Sequence, residues 1–207
     1  MTLSCKICGV SDKRTLLHLI NHPTPPNFIG FICNFPKSKR HLTYSKLTKL
    51  LKIKKKKSKY VAVLVNPRKH ILEKIKKLPF DYYQIYDSIS AEVNYIKKQY
   101  KKKIIVAITV NNKNDVLKYA EYKNIANVFL FDSKGYEKSL SFNHKLIKDI
   151  KINKRIMLAG NIKYDENLDK YSKITDIIDI SGSLESSGKK DISKIDLFLK
   201  NINKIRK

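Results

Sequence analysis

Short apolar runs and longer amphipathic segments alternate along this chain from end to end, and that alternation limits the folds open to it. Runs of β character lie at Leu3–Cys8, Phe28–Cys33, Tyr60–Val65, Tyr82–Ile85, Ile104–Thr109, Asn127–Phe131, Arg155–Ala159 and Ile177–Ser181. Most are continuously apolar rather than alternating, as strands covered on both faces are. Helical patterns fill the intervals: Asp12–Asn21, Thr43–Lys55, Pro67–Lys77, Ser90–Tyr100, Lys113–Tyr122, Asn143–Ile150, Asp165–Tyr171 and Asp191–Ile205. Thr43–Lys55 sets Leu47, Leu50 and Leu51 on one face, and Pro67–Lys77 opens with proline at a first-turn position. Strict βα alternation predicts a parallel sheet. Eight units with no break in composition predict an α/β protein with one compact (β/α)8 TIM barrel over residues 1–207, its loops short. An open doubly wound sheet is the alternative, but no G-x-G-x-x-G follows any strand.

Charge and cysteine content narrow the classes further. Lys and Arg total 44 against 18 Asp and Glu, a net charge of +26. Such a charge suits nucleic acid or an anionic surface. The lysines are nevertheless spread over nearly every predicted helix, and their densest run, Lys54–Lys57, falls where a helix should end and cations are favoured. No zinc-finger spacing, RNA-binding aromatic signature or basic zipper accompanies them. We therefore read a solvated basic surface, not a dedicated nucleic-acid site, with a general attraction for phosphorylated small molecules. Three cysteines, Cys5, Cys8 and Cys33, cannot all pair, which favours a reducing compartment. Lys13, Arg14 and His18 interrupt any signal-peptide core, and runs such as Ile104–Ile108 are too short for a bilayer. The expectation is a soluble cytoplasmic protein with no membrane partner, monomeric or homodimeric.

In a barrel, chemistry sits at the C-terminal ends of the strands, and the small and polar residues gather there: Lys6-Ile7-Cys8-Gly9, Ser38-Lys39-Arg40, Gln84-Ile85-Tyr86-Asp87, Phe131-Asp132-Ser133, Ala159-Gly160-Asn161 and Ser181-Gly182-Ser183. Cys5 and Cys8 lie three apart and face opposite sides of a strand, so they form neither a redox pair nor half a zinc site. Cys5 reads as core packing. Cys8 faces the mouth and could act as a base if its neighbours lower its pKa from about 8.5. Asp132 is either a turn-capping carboxylate or an acid at the mouth. Asp179 interrupts Ile177–Ile180, and an inward carboxylate there must be paired or functional. The turns at Gly160 and at Ser181-Gly182-Ser183 could offer backbone N–H groups to a phosphate. His18, His22, His41, His70 and His144 show no ligand spacing with acids or cysteines. His18 and His22 stand four apart without a glutamate partner, so all five are expected at the surface and no metal is predicted.

Together these strand ends resemble the phosphoribosylanthranilate isomerase family of tryptophan biosynthesis. The likeness rests on Lys6–Gly9, Gly30-Phe31 followed by Ser38-Lys39-Arg40, Phe131-Asp132, and a closing signature of Asp179, Ser181–Ser183, Glu185, Gly188 and Lys190-Asp191. The chain departs from the family pattern at Lys39 (usually proline), at Ile85-Tyr86-Asp87 (leucine-histidine-glycine), at Lys138-Ser139-Leu140-Ser141 (a glycine-rich stretch) and at Asn161 (glycine). The resemblance implies an Amadori rearrangement of N-(5-phosphoribosyl)anthranilate without cofactor or metal. It implies Asp132 as general acid, Cys8 as general base, and Arg40, Asp179 and Gln84 as substrate contacts. Gly160, Asn161, Ser181, Gly182 and Ser183 would hold the phosphate. Two other readings stand beside it: the aminoaldose isomerase of histidine biosynthesis, whose family uses aspartate where Cys8 stands, and a catalytically inactive basic barrel that binds nucleic acid.

Overall fold

The structure is a computed structural model that describes residues 3–133, 142–148 and 150–205. Eight strands run in chain order around a closed ring: β1 Ser4–Ile7, β2 Phe28–Ile32, β3 Lys59–Val65, β4 Tyr82–Tyr86, β5 Lys103–Val110, β6 Val128–Ser133, β7 Arg155–Leu158 and β8 Ile177–Ile180. Every neighbouring pair is parallel, and β8 returns to β1 with Ser4 opposite Ile177 and Ile7 opposite Ile180. The closed barrel replaces the open-sheet alternative.

Each strand carries two apolar faces, which explains the unbroken runs. One set, including Phe28, Val61, Val63, Ile105, Leu130 and Met157, fills the barrel interior. The other, including Ile7, Phe31, Leu64, Val106, Phe129 and Ile178, packs outward under the helices. Cys5, completely buried, belongs to this outer layer, as its place on the strand requires.

Among the described residues six α-helices cover the sheet: α1 Lys13–Asn21, α2 Tyr44–Leu51, α3 Lys69–Ile75, α4 Ser90–Tyr100, α5 Lys113–Leu117 and α6 Ile192–Ile205. Asp12 and Thr43, the first residues of two predicted helices, are the N-caps of α1 and α2, accepting from Thr15 N and Lys46 N. Four sequence expectations need correcting. Pro67 precedes the cap of α3, Arg68, and so stands outside the first turn. α2 ends at Leu51 with Lys52 as its C-cap, so Lys54–Lys57 occupies the following loop rather than the last turn. Lys113–Tyr122 begins as α5 but tightens to a 3-10 helix over Lys118–Tyr122. The helices expected at Asn143–Ile150 and Asp165–Tyr171 are single 3-10 turns, His144–Ile147 and Leu168–Tyr171. In both, an asparagine side chain (Asn143, Asn167) accepts the N–H two residues on. That local bond favours a tight turn over a propagating helix.

At the N-terminal end of the barrel one device recurs at every second strand. The residue just before β2, β4, β6 and β8 is Asn27, Asp81, Asn127 and Asp176. Their side chains accept the backbone N–H of Cys5 (3.1 Å), Tyr60 (2.8 Å), Ile104 (2.8 Å) and Ile156 (2.7 Å) in the preceding strand. Each side chain thus satisfies a strand N–H at the rim, where an unpaired group would be costly.

The histidines also differ from expectation. Asp196 of α6 meets His18 Nε2 at 2.6 Å and His22 Nε2 at 3.5 Å, joining the first helix to the last. His144 is half-buried against Phe142 and Tyr171, with a ring nitrogen 3.1 Å from Gly160 O. The sequence hid both arrangements because Asp196, Gly160 and Tyr171 lie far along the chain from the histidines they meet.

Candidate active site

The C-terminal mouth holds a cavity of about 360 Å³. Its wall includes Cys8, Arg40, Tyr86, Asp132 and Asp179, with Gly160–Lys163 and Ser181–Ser183 around the rim. All the residues proposed from sequence therefore converge here except Gln84, which is fully buried and does not line the cavity.

The floor is built by β1. Side chains two apart share a strand face, so Lys6 and Cys8 both point inward. Lys6 is completely buried, and its Nζ lies 2.6 Å from Asp179 Oδ2 on the adjoining β8. Asp179 Oδ1 is buried with no hydrogen-bond partner among the described residues. Gly30 of β2 makes room for this group. A Cβ there would fall 2.8 Å from Cys8 Sγ and 3.0 Å from Lys6 Cε. Removing Asp179 alone would leave a bare ammonium in the barrel, an arrangement that costs about 3–5 kcal/mol. The Ile177–Ile180 interruption thus has a structural partner as well as access to the cavity.

Burial raises the Cys8 thiol above its usual range, and the Lys6 ammonium beside it offsets only part of that. The condition set from sequence, neighbours that lower the thiol, is not met: the low dielectric of the barrel and the Asp179 charge outweigh the Lys6 and Lys190 ammonium groups. Asp132, at the end of β6, moves as expected of an acid. Burial, reinforced by the Asp179 charge, pushes it up to about 6. Its Oδ1 accepts from Ser133 N at 2.8 Å, and its Oδ2 accepts from the Tyr86 hydroxyl at 2.9 Å. Gln84 Nε2 donates to that same hydroxyl at 3.1 Å.

Arg40 reaches over the mouth from the loop after β2. Its Nε and Nη2 meet the two carboxylate oxygens of Glu185 at 2.5 and 2.8 Å. Glu185 also accepts from the buried Lys190 Nζ at 2.7 Å. Glu185 and Lys190 face each other across a two-stranded hairpin, β9 Glu185–Ser186 and β10 Lys189–Lys190, whose turn residues Ser187 and Gly188 both have positive φ. The closing signature therefore reads physically. Glycine makes the turn, lysine and glutamate fix Arg40, and Asp191 caps α6 by accepting from Ser193 N at 2.9 Å. Gly9 is required twice, by its φ of +73° and because a Cβ would lie 2.4 Å from Arg40 Cδ.

Around the rim the serine hydroxyls already have partners. Ser181 Oγ donates to Cys8 O at 3.0 Å, and Ser183 Oγ accepts from Tyr164 N at 2.8 Å. What these turns present to a ligand is backbone. Lys39 is exposed, so the proline it replaces is not needed to bury anything. The Lys138–Ser141 stretch lies outside the described residues.

Three contributors were quoted from sequence only as part of the resemblance and given no role: Lys6, Glu185 and Lys190. Lys6 had a visible signal, a lysine within an apolar strand and in phase with Cys8. The other two are legible only once the hairpin pairs them. His18, His22 and Asp196 place three possible ligand atoms within 4.8 Å of one another. However, Thr24 N donates to His22 Nδ1 at 3.1 Å. The neutral ring must then carry its proton on Nε2, aimed at the carboxylate, which is a hydrogen-bonded clasp rather than a metal-ready site.

A parallel eight-stranded barrel with an ionisable thiol, a carboxyl group of raised pKa and a backbone-lined rim at its C-terminal mouth defines a barrel enzyme of the acid–base type. Comparison with known proteins gives the family. Residues 5–201 match the family described as N-(5'-phosphoribosyl)anthranilate (PRA) isomerase, and the chain belongs to it. N-(5'-phosphoribosyl)anthranilate isomerase of Petrotoga mobilis is 31% identical over 97% of both chains. The Thermoanaerobacter pseudethanolicus enzyme is 29% identical over 97% of this chain and 98% of its own. Among solved structures, phosphoribosyl anthranilate isomerase in complex with reduced 1-(o-carboxyphenylamino)-1-deoxyribulose 5-phosphate superposes with a TM-score of 0.82 at 22% identity, over 98% of this chain and 99% of that one. Monomers generated from the dimeric Thermotoga maritima enzyme give 0.83 at 21%, with the same coverage. No helix among the described residues is long and apolar enough to cross a membrane.

Proposed function

We infer that this chain is a phosphoribosylanthranilate isomerase. It converts N-(5-phosphoribosyl)anthranilate to 1-(2-carboxyphenylamino)-1-deoxyribulose 5-phosphate, the Amadori step of tryptophan biosynthesis. Family membership carries the reaction, and the meeting of Cys8 and Asp132 in one cavity carries the assignment of roles.

The rearrangement needs a proton delivered to the ring oxygen and another removed from C2. Asp132 gives its proton to the ring oxygen, and the ring C–O bond breaks as the anthranilate nitrogen donates its electron pair to form a Schiff base. Cys8 takes the C2 proton, leaving an enolamine that tautomerises to the ketone. No external oxidant or reductant enters, because C1 is reduced as C2 is oxidised. Lys6, beside Cys8, favours the thiolate when it forms.

The remaining residues orient the substrate. Glu185 uses two of Arg40's five N–H groups, and the other three are available to the anthranilate carboxylate, an acceptor suited to a guanidinium fork. Asp179 Oδ1 suits the anthranilate N–H or a sugar hydroxyl. Backbone at Gly160, Asn161, Gly182 and Ser183 receives the phosphate, with Lys163 on the same rim. Gln84 lies below the wall and acts only through Tyr86.

The test is direct. Purified protein mixed with N-(5-phosphoribosyl)anthranilate should extinguish the substrate's anthranilate fluorescence at an enzymatic rate. An unchanged signal, together with steeply salt-dependent binding to duplex DNA, would replace this reading with that of an inactive nucleic-acid-binding barrel.

A further inference from the structure

Tyr86 stands where the resemblance leads one to expect histidine, and its contacts give it a defined task. Gln84 and Tyr86 are two apart on β4 and share the inward face. Gln84 Nε2 donates to Tyr86 Oη at 3.1 Å, and Tyr86 Oη lies 2.9 Å from Asp132 Oδ2. An ionised carboxylate offers only lone pairs, so the hydrogen in the second contact is the phenol's. The amide directs it there by donating to the same oxygen and occupying one of its lone pairs. Tyr86 is buried, and burial beside Asp132 raises its hydroxyl well above its usual range, so it stays neutral and a donor throughout the working pH range.

We propose that Tyr86 is the positioning residue of the acid: backed by Gln84, its hydroxyl holds the Asp132 carboxyl toward the cavity and stabilises its ionised form. This rests on the isomerase reading above for its catalytic meaning, but not for its electrostatics. Burial and Asp179 push Asp132 up, and the Tyr86 hydroxyl, the Ser133 N–H and the Lys6 charge pull it back to about 6. Without the phenol the acid would hold its proton more tightly and its Oδ2 would lose its orienting bond. The change at Asp87 fits the same local design. Its φ of +54° is a left-handed conformation that aspartate adopts more readily than most side chains, so loss of the expected glycine leaves the β4 end in place.

Two measurements on Tyr86→Phe, which removes one oxygen and keeps the ring packing, test the proposal. The first is the 13C titration of the Asp132 carboxyl in aspartate-labelled protein without substrate. The expected result is a midpoint moved to higher pH by about half to one unit. The second is the pH profile of kcat/KM, in which the limb near 6 should move the same way. Gln84→Leu should produce a smaller shift of the same sign, and the double variant should add little to Tyr86→Phe, because Gln84 works through the phenol. An unmoved midpoint, a midpoint moved to lower pH (expected had the protonated acid donated to Tyr86), or additive shifts in the double variant would each overturn it. Since the carboxyl titration needs no turnover, absence of isomerase activity would sink the functional reading and leave this one to be judged separately.

Discussion

Asp132 and Cys8 hold their protons the wrong way round for the reaction, and this sets the pH behaviour of the site. With Asp132 near 6 and the thiol above its ordinary range, the carboxyl is mostly ionised at pH 7 and the sulfur protonated. The productive arrangement is the minor one, with the proton on oxygen. Below about pH 6 both groups are protonated and no base exists; above the thiol's pKa both are ionised and no acid exists. The kcat/KM profile should therefore rise through about pH 6 and fall only above the ordinary thiol range. A fall beginning near pH 6 would contradict this. Cys8→Ala and Asp132→Asn should each lower turnover by about 10²–10⁴. Asp132→Asn has a second signature. A carboxyl raised from 3.8 to about 6 on folding weakens the native state as pH rises through that window, by up to about 3 kcal/mol above it. The variant should melt higher than wild type at pH 8 and lose that advantage by pH 4, as a pair of thermal scans would show. Asn161, which replaces an expected glycine, has a φ of +54°. Asparagine tolerates the left-handed region, so the substitution keeps the turn. Gly9→Ala has no such relief, since the methyl meets the Arg40 stem. It should raise KM more than it lowers kcat if Arg40 grips the substrate carboxylate.

The recurring Asn27, Asp81, Asn127 and Asp176 act at the scale of strand pairs, at the barrel end remote from the chemistry. Asp176→Ala would strand the Ile156 N–H at the base of β7. It should cost about 1–3 kcal/mol in urea unfolding while leaving kcat within about twofold. A parallel loss of activity would mean that the two ends of the barrel are mechanically coupled. Strand positions were legible because an apolar run of four to eight residues covered on both faces has few alternatives. Helices after β6 and β7 were not, because periodic apolar residues report a buried face without reporting whether the backbone completes a second turn. There, asparagine side chains accept the N–H two residues on and settle the matter locally. The Glu185–Lys190 pairing was hidden for a related reason: a two-residue hairpin is too short to show a strand pattern.

Across the whole molecule the excess of positive charge acts at a distance on an anionic substrate. Raising salt from about 10 mM to about 0.3 M should lower kcat/KM several-fold and change kcat at saturation little. Salt-independent kcat/KM would mean that the charge has no part in capture. The sequence by itself determined the number and order of βα units, and hence the barrel. Burying two-faced strands is a local pattern repeated eight times, and that count favours closure over the open sheet that the ring of strands then removes. It also determined which strand ends carry sulfur, carboxyl and guanidinium groups. Only the tertiary structure decided how those groups behave. The proton affinities of Cys8 and Asp132, the burial of Lys6 against Asp179, the clamp of Glu185 on Arg40 and the clasp of Asp196 on two histidines all join residues distant along the chain. Each depends on dielectric and on angstrom-scale separations that exist only once the ring of strands has closed.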